Sequence, residues 1–211
     1  TRGTRSPRSG TLSSMSASDA LPEPKTTLHR YLKIHRDVLV WKLDGASEYD
    51  VRRPLTPTGT NLLGLVKHLA AVEAGYFGDS FGRPLPDRPD WFDDESPNVD
   101  MWATADEPRA QIVELYRRVC AHADATIEAL PLDAPGRVPW WGPERSAVTL
   151  HQILVHVTAE TARHAGHADI VRELIDGSAG LRADASNLWR AEGQSWADYR
   201  AQLQQVAETF R

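Results

Sequence analysis

The 211 residues carry a formal net charge of −5 with acidic and basic side chains interspersed, which suits one domain with a real core and excludes a broad cationic face for nucleic acid or a polybasic membrane patch. The single cysteine, Cys120, excludes an internal disulfide and any cysteine-based zinc cluster, and reads as a small core residue of a chain suited to a reducing cytoplasm. No run approaches the ~18 consecutive apolar residues of a spanning helix, and the first residues lack the apolar stretch of a secretory signal, so a soluble, cytoplasmic protein with no membrane partner is expected.

Residues Thr1 to Pro24 are rich in Ser, Arg, Thr and Pro, with too little apolar surface to offset the entropy of ordering, and read as a flexible tail. Met15 is a candidate natural start inside it, and Arg2, Arg5 and Arg8 read as incidental rather than as a binding arm. Residues 25–211 are then expected to form one helical domain. From Lys25, Leu28, Tyr31, Leu32, His35, Val38, Leu39 and Leu43 recur at three- and four-residue intervals, the period of a first helix. The loop Arg53-Pro-Leu-Thr-Pro-Thr-Gly-Thr60 ends in a predicted N-cap, Thr60, and a second helix follows to about Tyr76 or Phe77.

Residues 78–104 hold too many prolines and acidic turn signals for a helix, yet include Phe81, Trp91, Phe92, Val99 and Trp102. A long loop with that many large apolar side chains is expected to cover something. The third helix is predicted from about Asp106 to Leu130. A second Pro/Gly-rich loop, residues 131–145, contains Trp140 and Trp141 side by side. The fourth helix starts at the N-cap Thr149 and ends near Asp176, where Gly177 supplies a C-terminal stop. Ser195 caps a last helix whose Trp196, Tyr199, Leu203, Val206 and Phe210 form a narrow apolar stripe, expected to lie on the bundle or on a second subunit, which leaves a homodimer open. There is no persistent strand-like alternation and no glycine-rich phosphate loop, so the fold class is all-α: a four-helix bundle with an additional C-terminal helix.

Four of the eight histidines, His151, His156, His164 and His167, fall in the fourth helix. At about 100° per residue, His164 lies inside the core-facing arc with Glu160 at its edge one turn earlier. A carboxylate and an imidazole at i and i+4 sit one above the other and can converge on a single ion, a use bundle cores make of such pairs. His156 and His167 lie on the polar side of that edge, open to a role behind the ligands, a substrate contact or plain solvation. A further ligand has to come from another helix. His68, the one histidine of the second helix, sits on the rim of its apolar face, where spacing alone also fits an ordinary exposed residue.

These residues carry a resemblance. Thr56-Pro-Thr-Gly-Thr-Asn-Leu-Leu-Gly-Leu-Val-Lys-His68 with Ala70-Ala-Val-Glu73, then Pro139-Trp-Trp141, then Glu160-Thr-Ala-Arg-His-Ala-Gly-His-Ala-Asp-Ile170 resemble the DinB/YfiT-like superfamily, in particular its actinobacterial branch related to mycothiol-dependent maleylpyruvate isomerase and mycothiol S-transferases. The resemblance spans roughly Thr26 to Gly177. Many superfamily members hold a metal with three histidines, the last in a segment His-Arg-Gly-Gln. Here that segment is His164-Ala-Gly-His167, and a glutamate stands one turn before it, as in the isomerase branch. The resemblance thereby implies His68, Glu160 and His164 as metal ligands, and leaves His156 and His167 unassigned. Past Gly177 only the helix after Ser195 is expected, without the additional C-terminal domain of the isomerases, so their particular substrate is not carried over.

Two neutral imidazoles and one carboxylate leave a divalent ion with open positions, the usual arrangement of a catalytic zinc site, though nickel, manganese or iron would also accept such a set. The expected activity is that of a metal-dependent enzyme that activates a low-molecular-weight thiol such as mycothiol for S-transfer or isomerisation of a small-molecule substrate. Trp140 and Trp141, with Trp91 or Trp102, are candidates for an apolar pocket, and Arg163 or His167 for contact with an anionic group. A metal-dependent hydrolase would use the same ligands. A non-catalytic metal- or small-molecule-binding stress-response bundle is the alternative of a different class.

Overall fold

The structure, a computed structural model, describes residues 21–189 and 191–211. Of the tail expected over residues 1–24, residues 1–20, including Met15 and the three arginines, lie outside the described residues. Helix α1 (Pro24–Trp41) opens with a proline in its first turn, where the missing N–H has no intrahelical partner to lose. A short α2 (Glu48–Arg52) follows, then α3 (Leu62–Glu73), α4 (Arg109–Ala129), a two-stranded antiparallel hairpin of β1 (Pro135–Arg137) and β2 (Ala147–Thr149), α5 (Leu150–Asp176) and α6 (Trp196–Glu208). The all-α reading holds: α1, α3, α4 and α5 form the bundle. The hairpin strands, three residues each, are too short to display a period in the sequence.

Long-range contacts fix the helix directions. Leu32 of α1 packs in one core cluster with Leu150, Ile153, Leu154 and Val157 at the start of α5, while Arg172 near the end of α5 donates to the Lys42 carbonyl just past α1. Those two helices are therefore parallel. Arg109 at the start of α4 donates to the carbonyls of Leu43 and Ala46, and Lys25 at the start of α1 reaches the carbonyls of Glu128 and Leu130, so α4 runs the opposite way. Helix α3 runs with α4, since Leu62 to Val66 share a cluster with Ile112 and Leu115, whereas Phe77 beyond α3 shares the other with Ala123 and Ile127.

Two consecutive helices pointing the same way need a connection that returns along the bundle, and residues 79–108 supply it. This strap is the aromatic-rich loop of the sequence. Trp91 and Phe92 stack with centroids 4.3 Å apart against the core, and the Lys67 ammonium lies 4.5 Å above the Trp91 ring. Lys67 is buried but satisfied, donating to the Trp102 carbonyl and pairing with Glu107 at 2.9 Å. The cover expected of this loop is thus a strap pinned along α3.

Three predicted boundaries move. The N-cap of α3 is Asn61 rather than Thr60: its Oδ1 accepts from Gly64 N at 2.8 Å while its Nδ2 donates to the carbonyls of Gly59 and Met101, so one amide caps the helix and clamps the strap. Helix α3 gives way after Glu73 to a π-helical turn over Ala74–Gly78. Helix α4 begins at Arg109, three residues late, because the Glu107 carboxylate is engaged by Thr104 N and Lys67 in a turn before Pro108. Both ends of α5 stand as read, with Thr149 accepting from Gln152 N and Gly177 left-handed at φ 79°.

Between α1, α3 and α4 lies a closed polar cluster. The Arg36 guanidinium forks onto Glu73, with Nε donating to Oε1 at 2.8 Å, and its Nη1 donates to Asp124 at 2.6 Å. His29 meets the same Asp124 oxygen at 2.7 Å. Burial disfavours the Arg36 charge, but the two carboxylates outweigh it and push its pKa up. Burial, then the Glu73 charge, pushes the neighbouring Cys120 thiol far up, which keeps it protonated and unreactive, in line with a packing role. Helix α6 buries none of its residues, so the expectation that it lies on its own bundle is not met; Tyr199, Leu203, Val206 and Phe210 are all exposed.

Candidate metal centre

His68 on α3 and the Glu160/His164 pair on α5 face one another across the seam of two antiparallel helices. Candidate ligand atoms from all three lie within 4.8 Å of one another. His164 Nε2 is 2.9 Å from Glu160 Oε1, His68 Nε2 is 3.7 Å from the same oxygen, and the two imidazoles meet edge to face at 4.9 Å. A tetrahedral zinc with ligands at 2.0–2.1 Å separates them by about 3.3 Å, so these spacings bracket what such an ion requires. His164 is buried and His68 half-buried, as their places on the helical wheels imply.

The far nitrogens are held as well. His68 Nδ1 is 2.7 Å from Asp100 Oδ2, and a proton there leaves Nε2 with a free lone pair facing Glu160. The hydrogen bond from His68 is the main reason the Asp100 carboxyl stays below its ordinary pKa. His164 Nδ1 lies 3.3 Å from His167 Nδ1, which fixes that ring from the other side. Burial, then the charge of His68, lowers the His164 pKa and so favours the neutral form that can ligate. For Glu160, burial alone would raise the pKa, but the His164 hydrogen bond and nearby positive charge prevail and hold it low, in the ionised form.

Asp100 reaches His68 because the strap lies directly on α3. At Gly64, one turn before His68, a Cβ would sit 1.8 Å from the Met101 carbonyl oxygen, so only glycine lets the backbone come this close. Asn61 then ties the same carbonyl at 3.1 Å. Asp100 is thereby delivered to the imidazole by backbone contacts of its neighbour.

The other predicted residues separate into groups. His167 backs His164. Arg163 is 69% exposed along its side chain and only grazes Glu160 at 4.0 Å. His156 belongs to an aromatic cluster instead, packing edge-on against Tyr76 at 4.7 Å and Trp141 at 5.2 Å. Trp140 and Trp141 join it, each indole Nε1 donating to the Tyr76 hydroxyl. Trp91 is spent on the strap and Trp102 is 52% exposed, with Arg52, Asn61 and Met101 about it. Neither is brought to the group of His68, Glu160 and His164. Two residues that the sequence did not single out join these groups, Asp100 beside His68 and Tyr76 in the aromatic cluster. Asp100 sits in a stretch with no period, and Tyr76 reads as one more apolar-face residue of α3.

Residues 27–177 match the family model described as Mycothiol-S-transferase. The chain belongs to this family. The match starts at the second turn of α1 and ends at the residue that stops α5, the span that carries the DinB-like resemblance. Membership in the mycothiol-S-transferase family supports an enzyme role in general and accounts for the bundle; α6 lies beyond the matched residues. Comparison with curated proteins finds no match. Among the described residues no helix of this family member is long and apolar enough to cross a membrane.

Proposed function

We propose that the chain is a metal-dependent thiol S-transferase or isomerase that holds one divalent ion, zinc first, with His68, Glu160 and His164, and uses mycothiol or a similar low-molecular-weight thiol against a small electrophile. The observation that carries this is the convergence of the His68 and His164 imidazoles with the Glu160 carboxylate, backed by Asp100 and His167. A divalent ion bound there would lower the pKa of a coordinated thiol and make thiolate available near neutral pH. The chain's own part is to keep both histidines in the ligating tautomer, Asp100 by accepting the His68 Nδ1 proton and His167 by accepting from His164 Nδ1. Glu160, low in pKa, contributes the one negative charge. Arg163 at the rim would attract an anionic group of the substrate, and Trp140 and Trp141 would wall the approach.

Metal analysis of the purified protein, followed by thiol-conjugation assays on wild type and His164→Ala, tests the reading. About one equivalent of metal and thiol-dependent turnover in wild type, both lost in the variant, is the expected result. Turnover of ester or amide substrates without a thiol would point to the hydrolase, and metal without turnover across a broad electrophile panel to the binding module. Failure to bind metal after reconstitution would sink the site.

A further inference from the structure

The hydrogen-bond count around Tyr76 does not close on itself. An indole N–H can only donate, so in the contacts from Trp141 Nε1 at 3.2 Å and Trp140 Nε1 at 3.4 Å the phenol oxygen is acceptor twice. Both lone pairs are then engaged, and the Tyr76 proton is left to give; among the described residues no acceptor takes it. The residue is half-buried, beside the exposed Trp140, and so is not sealed in the core.

Three features place the donor with care. The π-helical turn over Ala74–Gly78 widens the chain at Tyr76 and turns its ring out of the α3 register. At Gly75 a Cβ would stand 2.7 Å from the Trp140 ring, so the absence of a side chain is what lets that indole settle over the turn. The edge-on contacts of His156 with Tyr76 and Trp141 then tie the group to α5.

This cluster lies in the same α3/α5 seam as the metal-holding residues. His156 precedes Glu160 by one helical turn and His164 by two, roughly 6 and 12 Å along the axis. A thiol whose sulfur lies among His68, Glu160 and His164 can reach the cluster only with its own body, because the electrophile has to occupy the space next to the sulfur. What the cluster offers that body is the exposed indole face of Trp140, a phenol donor and an imidazole. Aromatic faces suit the C–H faces of saturated rings, and the polar atoms suit hydroxyls.

We infer that Tyr76, Trp140, Trp141 and His156 form a subsite for the polyhydroxylated body of the thiol, with Tyr76 as its hydrogen-bond donor. The inference rests on the thiol-dependent reading above and adds the part of the thiol that is selected. Tyr76 sets which thiol is accepted and takes no part in holding the metal.

The test is calorimetric titration of zinc-loaded wild type, Tyr76→Phe and Trp141→Phe with mycothiol and with N-acetylcysteine, which has the thiol end without the sugar-like body. Wild type should bind mycothiol the more tightly. Tyr76→Phe should weaken mycothiol about tenfold while leaving N-acetylcysteine affinity and zinc content as in wild type, and Trp141→Phe, which keeps a ring but loses the N–H, should weaken it by about threefold. Equal affinity of wild type for the two thiols, mycothiol binding unchanged by Tyr76→Phe, or equal losses for both thiols would each overturn the subsite while leaving the thiol reading standing. If zinc-loaded wild type binds neither thiol, the functional reading itself fails and the subsite with it.

Discussion

Two of the bundle's polar clusters are built from similar residue types and resolve their burial in opposite ways. Around Arg36 the chain supplies its own cation: one guanidinium sits between Glu73 and Asp124, and every charge has its opposite within hydrogen-bond reach. Around Glu160 two imidazoles that can each turn a lone pair to an ion converge on one carboxylate, and the nearest cationic side chain named there, Arg163, is a mostly exposed one at 4.0 Å. The first cluster is finished by folding, and the second leaves its groups converged where the proposed ion would sit. Buried charge in a bundle is thus no sign of a site by itself; the sign is a set of donors of one kind aimed at one point.

The sharpest way to break this contrast is a matched pair of truncations. Glu73→Ala should cost about 3–5 kcal/mol in chemical denaturation, because it strips the buried Arg36 of its main partner. Glu160→Ala should change the stability of metal-free protein by less than about 1 kcal/mol, yet reduce metal affinity at least a hundredfold in equilibrium competition against a chelator. Similar stability losses from both would erase the distinction. Gly64→Ala comes next. Its Cβ cannot coexist with the Met101 carbonyl, so the strap must shift, at about 1–3 kcal/mol by thermal or chemical unfolding. The same variant should bind metal as poorly as Asp100→Asn, for which a 10- to 100-fold loss of affinity with little change in fold is expected. Wild-type affinity in Gly64→Ala would show that Asp100 does not depend on the strap's seating.

The smallest effect should appear at the far end of α5, where Asp176 holds Arg172 and Arg172 donates to the carbonyls of Lys42 and Asp44. The hydrogen bonds from Arg172 foremost hold the Asp176 pKa near about 2, below its ordinary 3.8. A depressed folded-state value contributes stability above the unfolded pKa and loses it as pH falls from about 3.8 to about 2. Asp176→Asn should therefore flatten that part of the acid limb of the stability curve, modestly because the group is partly exposed. An acid limb identical to wild type would show that the pair contributes nothing.

How far the sequence carried the reading differs between residues for physical reasons. Both ends of α5 and the cap of α6 were legible because Thr149, Gly177 and Ser195 act on their own local backbone. Glu160 and His164 were legible for the same reason, being one helical turn apart. The place of His68 beside them was not settled by spacing, since it depends on which face of α5 meets α3, and only the resemblance pointed to it. Asp100 and the Tyr76 cluster were out of reach: one depends on where a strap lands, the other on a π-helical turn inside an otherwise regular apolar pattern. The stripe of α6 was legible as a period, but a period does not say whether the bundle or a second subunit covers it, and on its own bundle it stays exposed.

The parallel course of α3 and α4 also sets an order of events during synthesis. His68 and Asp100 emerge with the first half of the bundle, while Glu160 and His164 emerge only when α5 does. Until then only one of the three converging groups, His68, has been made, although α4 has already emerged for the strap to close against. The convergence of His68 with Glu160 and His164 is thereby deferred to the docking of the last bundle helix, so that an ion bound as proposed would meet a nearly finished fold and add its binding energy to that fold rather than to an earlier, partly formed one.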